Sequence, residues 1–162
     1  MGTIILGIGD MEVSNDPETS LKTFALGSCV ALILHDPATG TGGMVHIALA
    51  SSNINEEKSR IKPGYFVDTA LPALFMKMMA KTGSAGLEGV KIRLVGGAAV
   101  MEDQHIFNIG ENNINAVKKI LREKGLRLFS EDTGGDASRT VTLHVATGRT
   151  VISNVKKGVW EI

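Results

Sequence analysis

Residues 23–50 read TFALGSCVALILHDPATGTGGMVHIALA, two apolar runs either side of Asp36-Pro37-Ala38-Thr39-Gly40. Asp favours the first position of a turn, Pro presets φ at the second, and Gly accepts a left-handed backbone. The segment is therefore expected to fold as a hairpin. If Asp36 pairs with Thr41, Cys29 stands opposite Ala48 and diagonal to His46 on one face of the sheet. A slip of one residue would send the two side chains to opposite faces, so the parity of this pairing decides whether a thiol and an imidazole share a patch.

Outward from the hairpin, apolar runs at residues 3–8 and 21–25 predict further strands, so the first third is β-rich. Residues 51–64 are polar and without periodicity, which reads as an exposed, mobile loop. Phe66, Val67, Ala70, Leu71, Leu74, Phe75, Met78 and Met79 recur at helical spacing, with Gly83 as a stop and Pro72 as a kink or a restart. The helix's Met residues suit core filling, and a partner groove is the other reading. Residues 90–95 predict a strand, and Gly96-Gly97-Ala98-Ala99 a turn or a close approach of the backbone. Residues 111–124 predict a helix, with Ile114, Val117 and Leu121 on one face and Gly125 at its end. A strand over 126–129, the turn-rich 131–136, and a closing hairpin of 139–145 with 149–155 complete the chain. Two separate helices among hairpin strands predict an α+β fold of one domain over residues 1–162, its helices covering antiparallel or mixed sheets.

Lys plus Arg and Asp plus Glu both number 17 in the 162 residues. With no dominant sign of charge, nucleic acid is not an expected partner. No apolar run approaches the roughly 20 residues that cross a bilayer. The N-terminus carries neither the basic start of a secretory signal nor, with Leu6 at its place, the hydroxyl of a myristoylation signal. A cytoplasmic protein without membrane insertion is expected, and monomeric action with it. Cys29 is the only cysteine, so no internal disulfide can form, as suits a reducing compartment.

A thiol is mostly protonated near neutrality, and a neighbouring imidazole can take its proton and later return one to a leaving amine. Cys29 and His46 together meet that minimum for cleaving an amide. Gly27 and Ser28 let the backbone bend so that N–H groups, that of Cys29 among them, can face a developing oxyanion. The hydroxyl of Thr23 lies one short strand upstream and is the candidate to orient the imidazole. Each residue has a plainer reading: Cys29 as a small buried hydrophobe, His46 as a core histidine, Gly27-Ser28 as a bulge, Thr23 as an ordinary strand residue. His35, His105 and His144 read as solvated. Four scattered histidines lack the spacing of a zinc site, Gly7-Ile8-Gly9 lacks the third glycine of a dinucleotide loop, and Gly96-Gly97 lacks the Lys and Ser or Thr of a phosphate loop.

Residues 23–30 with Gly42-Gly43-Met44-Val45-His46 resemble the signature of the CheD chemoreceptor glutamine deamidases. The likeness continues through Gly96-Gly97-Ala98, residues 108–113, Asp132-Thr133-Gly134-Gly135 with Arg139, and Thr147-Gly148. The resemblance implies an α/β sandwich related to toxin-type deamidases, with Cys29 as nucleophile, His46 as general base and then acid, and Thr23 as third member. It implies deamidation of selected glutamines on methyl-accepting chemotaxis receptors through a γ-glutamyl thioester, without metal or organic cofactor. It also implies a CheC-like phosphatase as a partner of some members. Ala25 and Ala50 depart from the family pattern, which often has Gly and Pro at these places. Two other readings are a regulatory module for a CheC-like phosphatase and a redox-sensing thiol.

Overall fold

The computed structural model describes residues 2–100 and 108–162. In chain order these form strands β1 (Gly2–Ile5), β2 (Met11–Ser14), β3 (Thr19–Leu26), β4 (Val30–Asp36) and β5 (Thr41–Ile47), helices α1 (Glu56–Ile61) and α2 (Val67–Thr82), strand β6 (Lys91–Gly96) and helix α3 (Ile109–Glu123). Strands β7 (Ser130–Thr133), β8 (Arg139–His144), β9 (Thr150–Asn154) and β10 (Gly158–Glu161) follow. The β4–β5 hairpin pairs Asp36 with Thr41 and holds that register back to Val30 opposite Ile47, as the turn chemistry predicts.

Strand β4 is buried along its whole length, which an alternating strand with one wet face would not tolerate. Val30, Leu32 and Leu34 meet Val45, Ile47 and the apolar stripes of α2 and α3. Ala31 and Ile33 face the other way, with Met44 and Val95, against Leu21, Val141, Leu143 and Ile152 of the second sheet. The chain is thus an α+β sandwich of three layers. One sheet runs β1-β3-β8-β9-β10, the middle sheet β2-β5-β4-β6-β7, and the helices cover the middle sheet's other face. Pairings are antiparallel except β1 with β3 and β6 with β7, which are parallel.

Several expectations are corrected. Residues 51–64 are not a structureless loop: Asn55 accepts a hydrogen bond from the Lys58 N–H at 3.0 Å, and Glu56 and Glu57 precede Lys58 and Arg60 along α1. Six residues are too few for periodicity to register, but cap and charge order suffice locally. The strand expected over 126–129 lies later, at β7. Leu126 and Leu128 pack instead against the helix-side core, and β7 is held through its backbone by Arg93–Gly96. The first strand stops at Ile5, while β2 and β10 had no distinct apolar signal. Pro72 neither ends nor restarts α2, which runs through it. His35 is not solvated: it is 3% exposed, its Nε2 lies 2.9 Å from the Val145 carbonyl, and burial pushes its pKa down. His105 lies outside the described residues.

The departure at Ala25 has a steric consequence. The β3–β8 register shifts between Thr23 and Leu26, a bulge that gives Ala25 a φ of 54°. A Cβ in this left-handed region costs on the order of 1 kcal/mol, which glycine avoids. Ala25→Gly is expected to raise stability by about 0.5–1 kcal/mol, read as a higher urea midpoint with unchanged slope; a lower midpoint would show that the bulge carries no such strain.

Candidate active site

The bulge follows Thr23, which β3 directs into the space between the sheets. Across that space β5 presents His46, with Thr23 0% and His46 4% exposed. The Thr23 hydroxyl lies 2.7 Å from the Leu6 carbonyl and 2.6 Å from His46 Nδ1. A hydroxyl has one proton, and a carbonyl can only accept. The proton goes to Leu6, so the Thr23 oxygen must accept from Nδ1–H. That assigns the neutral tautomer whose lone pair is on Nε2, and Nε2 is buried with no hydrogen-bond partner among the described residues.

The backbone around the imidazole is clamped by the turn after β1. Gly9 N–H donates to the His46 carbonyl at 2.7 Å, and His46 N–H donates to the Asp10 carbonyl at 3.1 Å. Asp10 is held by the Gly7 N–H at 2.8 Å and by Lys62 Nζ at 3.1 Å. These two groups, the Gly7 N–H first, keep its carboxyl below the usual carboxylate range. Gly64 crosses so close to the Gly9 carbonyl that a Cβ there would collide with it. Burial lowers the His46 pKa to about 4, and the Asp10 charge opposes that only in part.

Cys29 sits just before β4, half-buried, and packs against the inter-sheet cluster. It therefore lies on the same side of the middle sheet as His46, the arrangement the hairpin register requires. Burial pushes its thiol pKa up, while its own backbone N–H pulls the other way. Gly96, with φ of 109°, passes directly over the Cys29 carbonyl, where any side chain would clash. The next residues continue the contact: Gly97 N–H donates to the Cys29 carbonyl at 2.9 Å and Ala98 N–H to the Gly27 carbonyl at 2.8 Å.

The candidates Thr23 and His46 are thus in direct contact, and Cys29, with Gly27 and Ser28, shares their face. His144 is a separate feature, its Nδ1 3.1 Å from the Ser20 hydroxyl. Sequence reasoning missed the Leu6 carbonyl, which no residue type advertises, and Asn113. The latter falls in register with Val117 and Leu121 on the apolar side of α3 and is fully buried; a polar residue at an apolar position was the available signal. Among the described residues no group of His, Cys, Asp or Glu could hold a metal ion, and no helix is long and apolar enough to cross a membrane.

A protein-family model described as CheD chemotactic sensory transduction matches residues 48–154. The chain is 46% identical over 162 residues to a probable chemoreceptor glutamine deamidase CheD of Syntrophotalea carbinolica, covering 100% of both. It is 36% identical over 154 residues to the chemoreceptor glutamine deamidase CheD of Thermotoga maritima, covering 95% of both. A probable chemoreceptor glutamine deamidase CheD of Methanococcus maripaludis is 41% identical over 146 residues, 90% of each. With the family model matched over more than half its length and such relatives matched nearly end to end, the chain belongs to the CheD family.

Proposed function

We propose that this chain is a cysteine-dependent protein-glutamine deamidase that converts glutamines of methyl-accepting chemotaxis receptors to glutamates. The names of its relatives supply the reaction and substrate class, and one observation carries the mechanism: the Thr23 hydroxyl between Leu6 and His46, which leaves Nε2 as a base. Cytoplasmic, monomeric action and binding of a CheC-like phosphatase belong to the same reading and rest on the family resemblance. A redox-sensing role fits less well, because such cysteines have lowered pKa values and burial raises that of Cys29.

With the thiol raised and the imidazole lowered, the resting pair is neutral. Proton transfer from Sγ to Nε2 then accompanies attack of sulfur on the glutamine δ-carbon. The C–S bond forms, and the carbonyl electron pair moves onto oxygen, facing the Cys29 N–H and its Gly27-Ser28 neighbourhood. As the intermediate collapses, the C–N bond breaks and protonated His46 delivers its proton to the departing ammonia. Water, deprotonated by His46, attacks the γ-glutamyl thioester; the C–S bond breaks, glutamate leaves, and sulfur recovers its proton. Throughout, the Thr23 oxygen accepts from Nδ1–H and steadies the imidazolium.

Incubation with a receptor cytoplasmic fragment and peptide mass analysis is expected to show Gln-to-Glu conversion that Cys29→Ala abolishes; equal conversion by both proteins would end the proposal. Thr23→Ser keeps the hydroxyl and is expected to retain most activity, whereas Thr23→Val should lose about 100-fold in kcat. Equal rates for the two variants would remove Thr23 from the mechanism.

The acid limb of kcat/KM is expected near pH 4, not near the ordinary histidine value, because only neutral His46 can act as base. The same shift carries a stability consequence. The unfolded chain protonates this histidine near pH 6.5 and the folded chain only near 4, so stability present above 6.5 declines as pH falls toward 4. The decline amounts to a few kcal/mol at most, on the order of 1.4 kcal/mol per pH unit. Denaturant titrations across this window should show a slope that His46→Gln lacks, and a pH-independent difference between the two would refute the assignment.

A further inference from the structure

Three consecutive carbonyls precede and include the nucleophile, and each has a donor. Gly27 receives the Ala98 N–H at 2.8 Å and Cys29 the Gly97 N–H at 2.9 Å. The middle one, Ser28, receives the Nδ2 amide of Asn113 at 2.9 Å. In a trans peptide the N–H points opposite to the C=O. Fixing the Ser28 carbonyl toward α3 therefore aims the Cys29 N–H away from the helix, toward the side where its own sulfur lies.

The same Nδ2 donates to the Ala48 carbonyl at 3.0 Å, two residues after His46. One side chain thus ties the turn before the nucleophile to the exit of the base's strand. Its other atom, Oδ1, is buried without a partner among the described residues. Leaving a buried acceptor unmet costs roughly 1–3 kcal/mol, so the amide's two donated bonds are made despite a penalty that an apolar residue in register with Val117 and Leu121 would avoid. The helix is also prevented from sliding. Gly110, one turn before Asn113, packs on Gly97 so closely that a Cβ on either would collide with the other segment.

We infer that Asn113 is a positioning residue that sets the plane of the Ser28–Cys29 peptide, so that the Cys29 N–H meets the carbonyl oxygen of the bound glutamine. The inference rests on the deamidase reading and deepens it. Asn113 touches neither substrate nor sulfur. It acts by keeping one donor preorganised where negative charge develops, and loss or misdirection of such a donor costs on the order of 10- to 100-fold in kcat.

Alkylation of Cys29 by iodoacetamide separates this role from general support of the site. That displacement needs the thiolate but builds no oxyanion, and with one cysteine in the chain the label reads Cys29 alone. In Asn113→Ala, kcat for deamidation of a receptor fragment is expected to fall about 10- to 100-fold with KM nearly unchanged, while the alkylation rate stays within about twofold of wild type. Asn113→Asp, of the same shape without the amide donors, gives the same split if the alanine variant melts below assay temperature. A parallel fall of both rates, or an unchanged kcat, would overturn the inference. Retained deamidation by Cys29→Ala is the separate signature by which the underlying deamidase reading fails.

Discussion

The register of the β4–β5 hairpin decides which face of the middle sheet carries the candidate site. Because side chains alternate, pairing Asp36 with Thr41 commits Val45 and Ile47 to the helices and Met44 and His46 to the opposing sheet. Strand β4 then has no wet face, and its residues are apolar up to His35 and Asp36. Shifting the pair by one residue would either push Leu32 and Leu34 off the helix-side core or push His46 into it. The penalties for burying an unpaired imidazole and for unpacking leucines point the same way, so the core and the site enforce one register.

Placing the imidazole between two sheets has an electrostatic price. Desolvation drives His46 toward neutrality and Cys29 toward the thiol, which favours a neutral thiol and imidazole over a standing thiolate–imidazolium pair. What burial provides in return is definition. Thr23 is fixed by β3 and has its proton committed to Leu6, so the ring is held in one tautomer by an acceptor that carries no charge. An aspartate in that place would raise the histidine pKa by its charge. The threonine orients the ring without doing so.

The hairpin was legible because its information is local: turn residues fix a register, and register fixes faces. The helices were legible for the same reason, through repeated apolar spacing and terminal glycines. Strand β7 was misplaced because its sequence, Ser130-Glu131-Asp132-Thr133, has no apolar alternation, and it is a strand only because β6 offers it a parallel edge. His35 was misjudged because its burial depends on Val145 and Gly148, more than a hundred residues away, closing over the ring. At the candidate site, the shared face of Cys29 and His46 could be read from one hairpin, and Thr23 was a candidate only as a hydroxyl one short strand upstream. The Leu6 carbonyl and the bonds of Asn113 could not, since a backbone acceptor has no side-chain signature and a buried amide declares itself only after folding.

The glycines at the site follow from the same crowding. Gly64 on Gly9, Gly96 on the Cys29 carbonyl, and Gly97 against Gly110 are approaches that no Cβ would permit. Each brings a backbone N–H or carbonyl, rather than a flexible side chain, next to a candidate catalytic residue or its support. Backbone groups carry little conformational freedom once their strands and helices form, so donors and acceptors built from them need little reordering when charge moves. The exception is Asn113, whose short, fully buried amide reaches from α3 to the Ser28 carbonyl. Donors and acceptors of the candidate site are thus built from backbone where the two sheets and α3 converge, and Nε2 of His46, without a partner among the described residues, is the atom the proposed reaction needs free.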